Sequence, residues 1–325
     1  MTPVRWGFLG AGMIAGVLAR AVAEADGAVL QAVAARDVAR AEGLRPRTAY
    51  DDYAAVVADE QVDAVYVALS NDLHLPWTLA ALDAGKAVLC EKPLGLTAAE
   101  VDEMTAAAEA SGALLVEASW YRWHPRVRLA QQRLPEIAPV RHVAAAFTFD
   151  GSLEGNYRLD AARGGGAMYD VGCYAVSACL WAVGEGLPAE VSARSTYSPS
   201  GVDLVTDAIL EWESGAQAEV RAGISGSGDG QWLVVTGERG EIELRDAPYT
   251  SWTTDPTELL VSDGTGTERV VVPGVNPYVV MLEEVSSVLR GGPGWVLPPA
   301  ESRQTAVVLD AARKSALTGG EPVRV

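Results

Sequence analysis

Gly7-Phe8-Leu9-Gly10-Ala11-Gly12-Met13-Ile14-Ala15 closes a short apolar run that begins at Val4 and opens a stretch with apolar residues at helical spacing. In a turn between a strand and a helix each small residue has its own task. Gly10 permits the tight turn, Gly12 lets the backbone approach a ligand, and Ala15 lets the helix pack close to the strand. Met13 and Ile14 then present backbone N–H groups that lack intrahelical acceptors, which suits the pyrophosphate of a dinucleotide. Glycine turns join many strands to helices, so the motif takes its meaning from its surroundings.

Those surroundings repeat the unit. Residues 4–9, 29–35, 64–69, 87–90 and 114–116 are continuous apolar runs, as parallel strands covered on both faces require. Between them, residues 13–25, 73–84 and 98–110 have helical periodicity, and each ends near a glycine, Gly27, Gly85 or Gly112. The pattern predicts an α/β fold with a doubly wound parallel sheet over residues 1–121. Beyond Trp120 the texture changes. Residues 140–149, 191–197, 204–213, 216–224, 231–236 and 241–244 alternate polar and apolar, as antiparallel strands do. With helical patterns at 127–133, 166–183, 278–290 and 300–317, residues 122–325 read as an α+β domain.

Composition narrows the function. The 325 residues carry 25 Lys plus Arg against 43 Asp plus Glu, a formal charge of −18 that disfavours nucleic acid as a partner. Cys90, Cys173 and Cys179 form neither a Cys-x-x-Cys pair nor an even set, so no disulfide framework or metal site is expected and a reducing, cytoplasmic setting fits. The apolar run after Arg5 is broken by four glycines and reads as the first strand and turn, not a signal peptide. No uninterrupted apolar stretch reaches the ~18 residues of a membrane span, so no membrane role is expected. Only Lys86, Lys92 and Lys314 among the cations are lysine. Codon composition accounts for Lys86 and Lys314; Lys92 asks for a chemical reason.

An NAD site would place Asp or Glu at the end of the second strand, to bind the ribose 2′-OH. Here Ala34-Ala35-Arg36-Asp37 stands there, with Arg40 one helical turn on. A guanidinium matches a 2′-phosphate in charge and geometry, so NADP is favoured, with NAD the alternative. Ser70-Asn71-Asp72-Leu73-His74 and Glu91-Lys92-Pro93 follow the next two strands, at the carboxyl edge where open α/β sheets bind ligands. There a partly desolvated Lys92 ammonium would have a lowered pKa and could exchange a proton with a substrate hydroxyl. Farther on, Arg163-Gly164-Gly165-Gly166 leads into a helix where Asp170 and Tyr174, at i and i+4, share a face, with Gly172 leaving space beside it. Tyr174 and Lys92 on opposite sides of a carbinol would make a proton relay.

These residues resemble the Gfo/Idh/MocA oxidoreductases, named for glucose-fructose oxidoreductase and inositol dehydrogenase. The resemblance spans essentially the whole chain and rests on the glycine turn, Glu91-Lys92-Pro93 and Gly164 to Tyr174 in that order. It implies a Rossmann domain, followed by an α+β domain with a large, mostly antiparallel sheet that forms a homodimer or homotetramer. It also implies hydride transfer between NADP and a sugar-like, polyol or cyclic diol substrate. Carried over, Lys92 resembles the catalytic lysine and Asp170 with Tyr174 the second catalytic motif. Ser70, Asn71, His74, Glu91 and Glu117 would bind the cofactor, Arg158 would reach its nicotinamide end, and Arg122 and His124 would join Asp170 and Tyr174 at the substrate. Tyr174, where many members have His, is similar to the branch of dihydrodiol dehydrogenase, NADP-dependent xylose dehydrogenase and glucose-fructose oxidoreductase. Ala35 departs from the usual Ser, and Arg163 replaces a usual apolar residue. Whether Tyr174 or Lys92 passes the proton is left open. The alternative of another class is a dinucleotide-sensing regulator of the same fold, which would not need Lys92 or the second motif.

Overall fold

The computed structural model describes residues 2–151, 154–226, 228, 230–245, 247–250 and 255–325. It divides into two compact units, one of Met1–Gly95, Ala99–Trp120 and Asn276–Pro299, the other of Leu96–Ala98, Tyr121–Val275 and Ala300–Val325.

The first unit runs β1 (Val4–Leu9), α1 (Met13–Glu24), β2 (Ala28–Ala34), α2 (Val38–Glu42), β3 (Thr48–Tyr50), α3 (Tyr53–Ala58), β4 (Ala64–Val67), α4 (His74–Asp83), β5 (Ala87–Cys90), α5 (Ala98–Ser111) and β6 (Leu115–Glu117). Its six parallel strands lie in the order β3-β2-β1-β4-β5-β6. The chain starts in the middle, works outward to β3, then returns to the far side of β1. That reversal puts the crevice of the sheet beyond the carboxyl ends of β1 and β4. Every residue of β4 and β5 is buried, which is why both read as unbroken apolar runs. Gly27, Gly85 and Gly112 all take positive φ at the helix ends. Lys86 also has a structural reason: its buried ammonium donates to Asp59 O and Val62 O, each at 2.8 Å. Lys314 stands exposed beside Asp310, as a surface lysine would.

The second unit contains α6 (Pro125–Ile137), β7 (Val140–Thr148), a π-helical turn at Met168–Gly172 that runs into α7 (Cys173–Val183), β8 (Glu190–Tyr197), β9 (Asp203–Glu211), β10 (Gln217–Gly223), β11 (Gly230–Gly237), β12 (Gly240–Leu244), β13 (Thr257–Asp263) and β14 (Gly266–Val272). Of the remaining elements, α8 (Pro277–Leu289) belongs to the first unit, while α9 (Pro299–Leu317) and β15 (Val323–Arg324) complete the second. Nine strands form one sheet, β14-β13-β12-β11-β7-β10-β9-β8-β15, antiparallel except where β7 meets β10. Helix α7 packs on β7 and β10, and its Ala, Ser and Cys residues permit that close approach. The stretch Ala161–Val183 is long and apolar enough to cross a membrane, but 94% of its most apolar window is buried, as in a core helix. On the other face of the sheet Ile209 and Trp232 stand exposed.

Residues 276–299 depart from the expected single boundary. Met281, Leu282 and Val285 of α8 are buried, Trp6 Nε1 donates to Ser286 Oγ (3.3 Å), and Arg290 Nη1 donates to Gly27 O (2.6 Å). An amphipathic helix records that it needs a core to cover, and its position in the chain does not record which one.

Candidate active site

Gly10 has φ +104°, and a Cβ there would lie 2.4 Å from Ala68 O, so only glycine fits. A Cβ at Gly12 would meet nothing within 4 Å, so that edge is open for a ligand to approach. No side chain caps the start of α1, whose first N–H groups therefore keep their donors for an anion. Met13 is exposed there, whereas Ala15 is wholly buried against the sheet. These features fit a dinucleotide pyrophosphate. Just past β2, Arg36 and Arg40 are exposed. Arg40 Nη2 donates to Ala11 O (3.0 Å), tying α2 to the glycine turn. Asp37 accepts from Ala39 N as the cap of α2, which leaves Arg36 at the position that selects between cofactors.

Along the same carboxyl edge, Ser70 and Asn71 are buried in the turn after β4, Glu117 is buried at the end of β6, and Lys92 is half-buried directly after β5. The Lys92-Pro93 peptide is cis. Beside Lys92, Glu91 accepts from Tyr66 Oη at 2.5 Å and from the Lys92 N–H at 3.3 Å. Burial, with the Glu91 charge adding to it, raises Tyr66 well above the usual phenol range. His74, expected among the cofactor contacts, is wholly buried between Pro93 O (2.9 Å from Nδ1) and Leu69 O (3.4 Å from Nε2). Burial pushes its imidazole down to about 4, so the ring is neutral at pH 7. The carboxylate of Glu91 and the ring of His74 therefore brace the backbone of the two loops.

In the second unit the glycine run serves the chain itself. A Cβ at Gly165 would lie 2.5 Å from Arg158 O, and one at Gly166, where φ is +119°, would lie 2.0 Å from Asp203 Oδ1. Asp203 Oδ2 accepts from Met168 N (2.8 Å) and Thr206 Oγ1 (3.0 Å), capping the helix that bears the candidate residues. Burial raises the Asp203 carboxyl against those donors. Asp170 lies within the π-helical turn, a feature frequent at functional sites and invisible in residue spacing. Its Oδ2 accepts from Arg158 Nε at 2.6 Å. Burial alone would lower Arg158, but the Asp170 charge overrides it and holds the guanidinium protonated, within electrostatic reach of Tyr174. Gly172 leaves no space beside this pair: a Cβ there would meet Met168 Sδ at 2.9 Å and Ala222 Cβ at 3.3 Å.

Tyr174 is buried among aromatic rings, with centroids 5.5 Å from Phe147, 5.6 Å from Tyr121 and 6.2 Å from Tyr249. Phe147 and Tyr249 stack at 5.7 Å, and Tyr121 Oη donates to Ser177 Oγ (2.9 Å). Such a cage fixes the plane and position of the phenol ring. Sequence reasoning missed Phe147, Tyr249 and Asp203, because nothing in their local patterns says which helix they meet. Two residues expected at the substrate make contacts within the second unit. Arg122 pairs with Glu301 (2.8 Å) and lines a cavity of about 260 Å³ with Ser177, Trp181, Gln304 and Thr305. His124 caps α6, its Nδ1 accepting from Arg126 N (3.1 Å), and burial with the Arg126 charge lowers it to about 4.

Residues 4–119 match the model of the oxidoreductase family with an NAD-binding Rossmann fold, and residues 128–243 match the GFO/IDH/MocA C-terminal domain. The chain is 35% identical over 300 residues to a D-xylose 1-dehydrogenase (NADP(+)) of Haloferax volcanii, covering 89% of this chain and 90% of that one. It is 33% identical over 333 residues to the trans-1,2-dihydrobenzene-1,2-diol dehydrogenase of Mus musculus, covering 96% of each. Among solved structures it is similar to a 3-ketoreductase from Actinomadura kijaniata in complex with NADP and TDP-benzene, with a TM-score of 0.88 at 26% identity over 97% of this chain and 98% of that one. An aldose-aldose oxidoreductase from Caulobacter crescentus complexed with glycerol gives a TM-score of 0.88 at 25% identity over 99% and 100%.

Proposed function

The chain belongs to the GFO/IDH/MocA oxidoreductase family, and on that premise we propose that it is an NADP-dependent oxidoreductase acting on a CH–OH or C=O group of a sugar, polyol or cyclic diol. The nicotinamide ring, when bound, gives or takes the hydride. Gly10, Gly12 and the first N–H groups of α1, on Met13 and Ile14, hold the pyrophosphate, and Arg36 with Arg40 meets the 2′-phosphate. Ser70, Asn71 and Glu117 line the edge toward the reactive end. Lys92 and Tyr174 carry the proton of the substrate hydroxyl. Arg158 fixes the Asp170 carboxylate so that it can orient the substrate.

One observation carries this reading: Lys92, at the carboxyl end of β5, shares a sheet edge with an open Gly12, an uncapped α1 and Arg36. A regulator that only sensed dinucleotide would use the glycine turn and Arg36 but give no purpose to Lys92. The test is NADP⁺ reduction by the protein against a panel of aldoses, polyols and cyclic diols, with NADPH oxidation against ketoses and diketones. Turnover of at least one class is expected. Tight NADP⁺ binding without turnover of any would favour the regulator. Self-association belongs on the open sheet face around Ile209 and Trp232. Trp232→Glu should then give a smaller species than the parent in light scattering; an unchanged mass would place the interface elsewhere.

A further inference from the structure

His74 is the first residue of α4, so the helix fixes its backbone while its ring lies wholly buried between two loops. Each ring nitrogen faces a backbone carbonyl, Nδ1 toward Pro93 O at 2.9 Å and Nε2 toward Leu69 O at 3.4 Å. A neutral imidazole has a single N–H to donate. The shorter contact is a normal hydrogen bond and the longer is at the limit of one, so the proton sits on Nδ1. Pro93 follows Lys92 in the chain, and Leu69 precedes Ser70. The charged groups within electrostatic reach of the ring are Lys92 and Asp72.

We propose that His74 is a positioning residue: through Nδ1–H donated to Pro93 O it locks the Lys92 loop against the Ser70-Asn71 loop, and so fixes where the Lys92 side chain starts. The inference rests on the reading of Lys92 as a proton-transfer group. It assigns the ring no contact with cofactor. Misplacing a reacting group by about 1 Å can cost about 100-fold in rate, so a single buried hydrogen bond at this position is enough to matter.

Asparagine and glutamine separate the two ring nitrogens. The Asn amide nitrogen is as many bonds from Cα as Nδ1, and the Gln amide nitrogen as many as Nε2. In His74→Asn, kcat should stay within about threefold of the parent, whereas His74→Gln and His74→Leu should lose about 10- to 100-fold in kcat with NADP⁺ Kd and substrate KM little changed. Amide exchange of residues 91–97 without cofactor, read by mass spectrometry, should be faster in His74→Gln and His74→Leu and unchanged in His74→Asn. Equal kcat and equal exchange in the Asn and Gln variants would overturn the proposal, as would a loss confined to NADP⁺ affinity. If the parent turns over no sugar, polyol or diol, the functional reading fails. The exchange pattern then decides the role of His74 by itself.

Discussion

Arg158 Nε and Asp170 Oδ2 stand 2.6 Å apart, joining a turn before the glycine run to the helix after it. Asp170 is buried and Arg158 partly so, and a charge-assisted bond of this kind is worth about 1.5–3 kcal/mol. Arg158→Leu should therefore lower kcat/KM by about 10- to 100-fold. Arg158→Lys should recover only part of that, since an ammonium cannot reproduce the Nε geometry. Steady-state kinetics of the two variants checks this; parent-like kinetics in Arg158→Leu would remove Asp170 orientation from the mechanism.

Gly166→Ala should destabilise the second unit by at least about 2 kcal/mol, because the new Cβ meets Asp203 Oδ1 and the residue keeps a positive φ. Thermal unfolding reads the loss. Gly12→Ala is the control: its Cβ meets nothing, so Tm should hold while NADP⁺ affinity falls. Equal Tm shifts in the two variants would contradict the distinct roles given to these glycines.

Arg36→Asp should move the ratio of NADP⁺ to NAD⁺ affinity toward NAD⁺ by 10-fold or more, about 1.4 kcal/mol or above. Arg40→Ala should have a smaller effect on that ratio, since Arg40 is partly engaged with Ala11 O. Isothermal titration with both cofactors measures it, and an unchanged ratio in Arg36→Asp would refute the phosphate contact.

Acid stability has a calculable sign. His74 and His124 titrate near 4 in the folded protein and near 6.5 when unfolded, so the unfolded chain takes up protons first as pH falls. Their contribution is complete above about pH 6.5 and drains away toward pH 4, at up to about 1.4 kcal/mol per pH unit for each ring. Asp203, raised by burial, works in the opposite direction, losing stability as pH rises. Urea midpoints should fall between pH 7 and pH 5, and His124→Asn, which keeps a capping side chain, should flatten the slope. Equal midpoints at pH 7 and 5 in the parent would contradict the neutral burial of both rings.

The parallel sheet was legible because its central strands are buried on both faces and therefore apolar without interruption, as in Ala64–Val67 and Ala87–Cys90. Thr48–Tyr50 is not legible in sequence because three residues carry no period. The hairpin of Thr257–Asp263 and Gly266–Val272 shows no polar–apolar alternation in sequence, because its apolar residues fall in two runs of three, 259–261 and 270–272. Arg36, Lys92, Asp170 and Tyr174 are singled out by residue type and position alone, and Arg36→Asp, Lys92→Ala and Arg158→Leu test the roles of the first three. The contacts of His74 with two loop carbonyls and the cap made by His124 are not legible in sequence, since a histidine that braces a loop or caps a helix has the same local sequence as one that meets a ligand. Gly172 likewise reads as empty space and turns out to admit Ala222. Identity says what a residue can do; only packing says what it faces.

Lys92→Ala measured against the parent for both NADP⁺ affinity and turnover bears most directly on the whole account. The lysine stands half-buried at the carboxyl end of β5, beside neither the glycine turn nor Arg36 in sequence. Removal of a general acid or base should lower turnover by about 10² or more while NADP⁺ binds nearly as before. Parent-like turnover in Lys92→Ala, or a loss that appears only as weaker NADP⁺ binding, would contradict it.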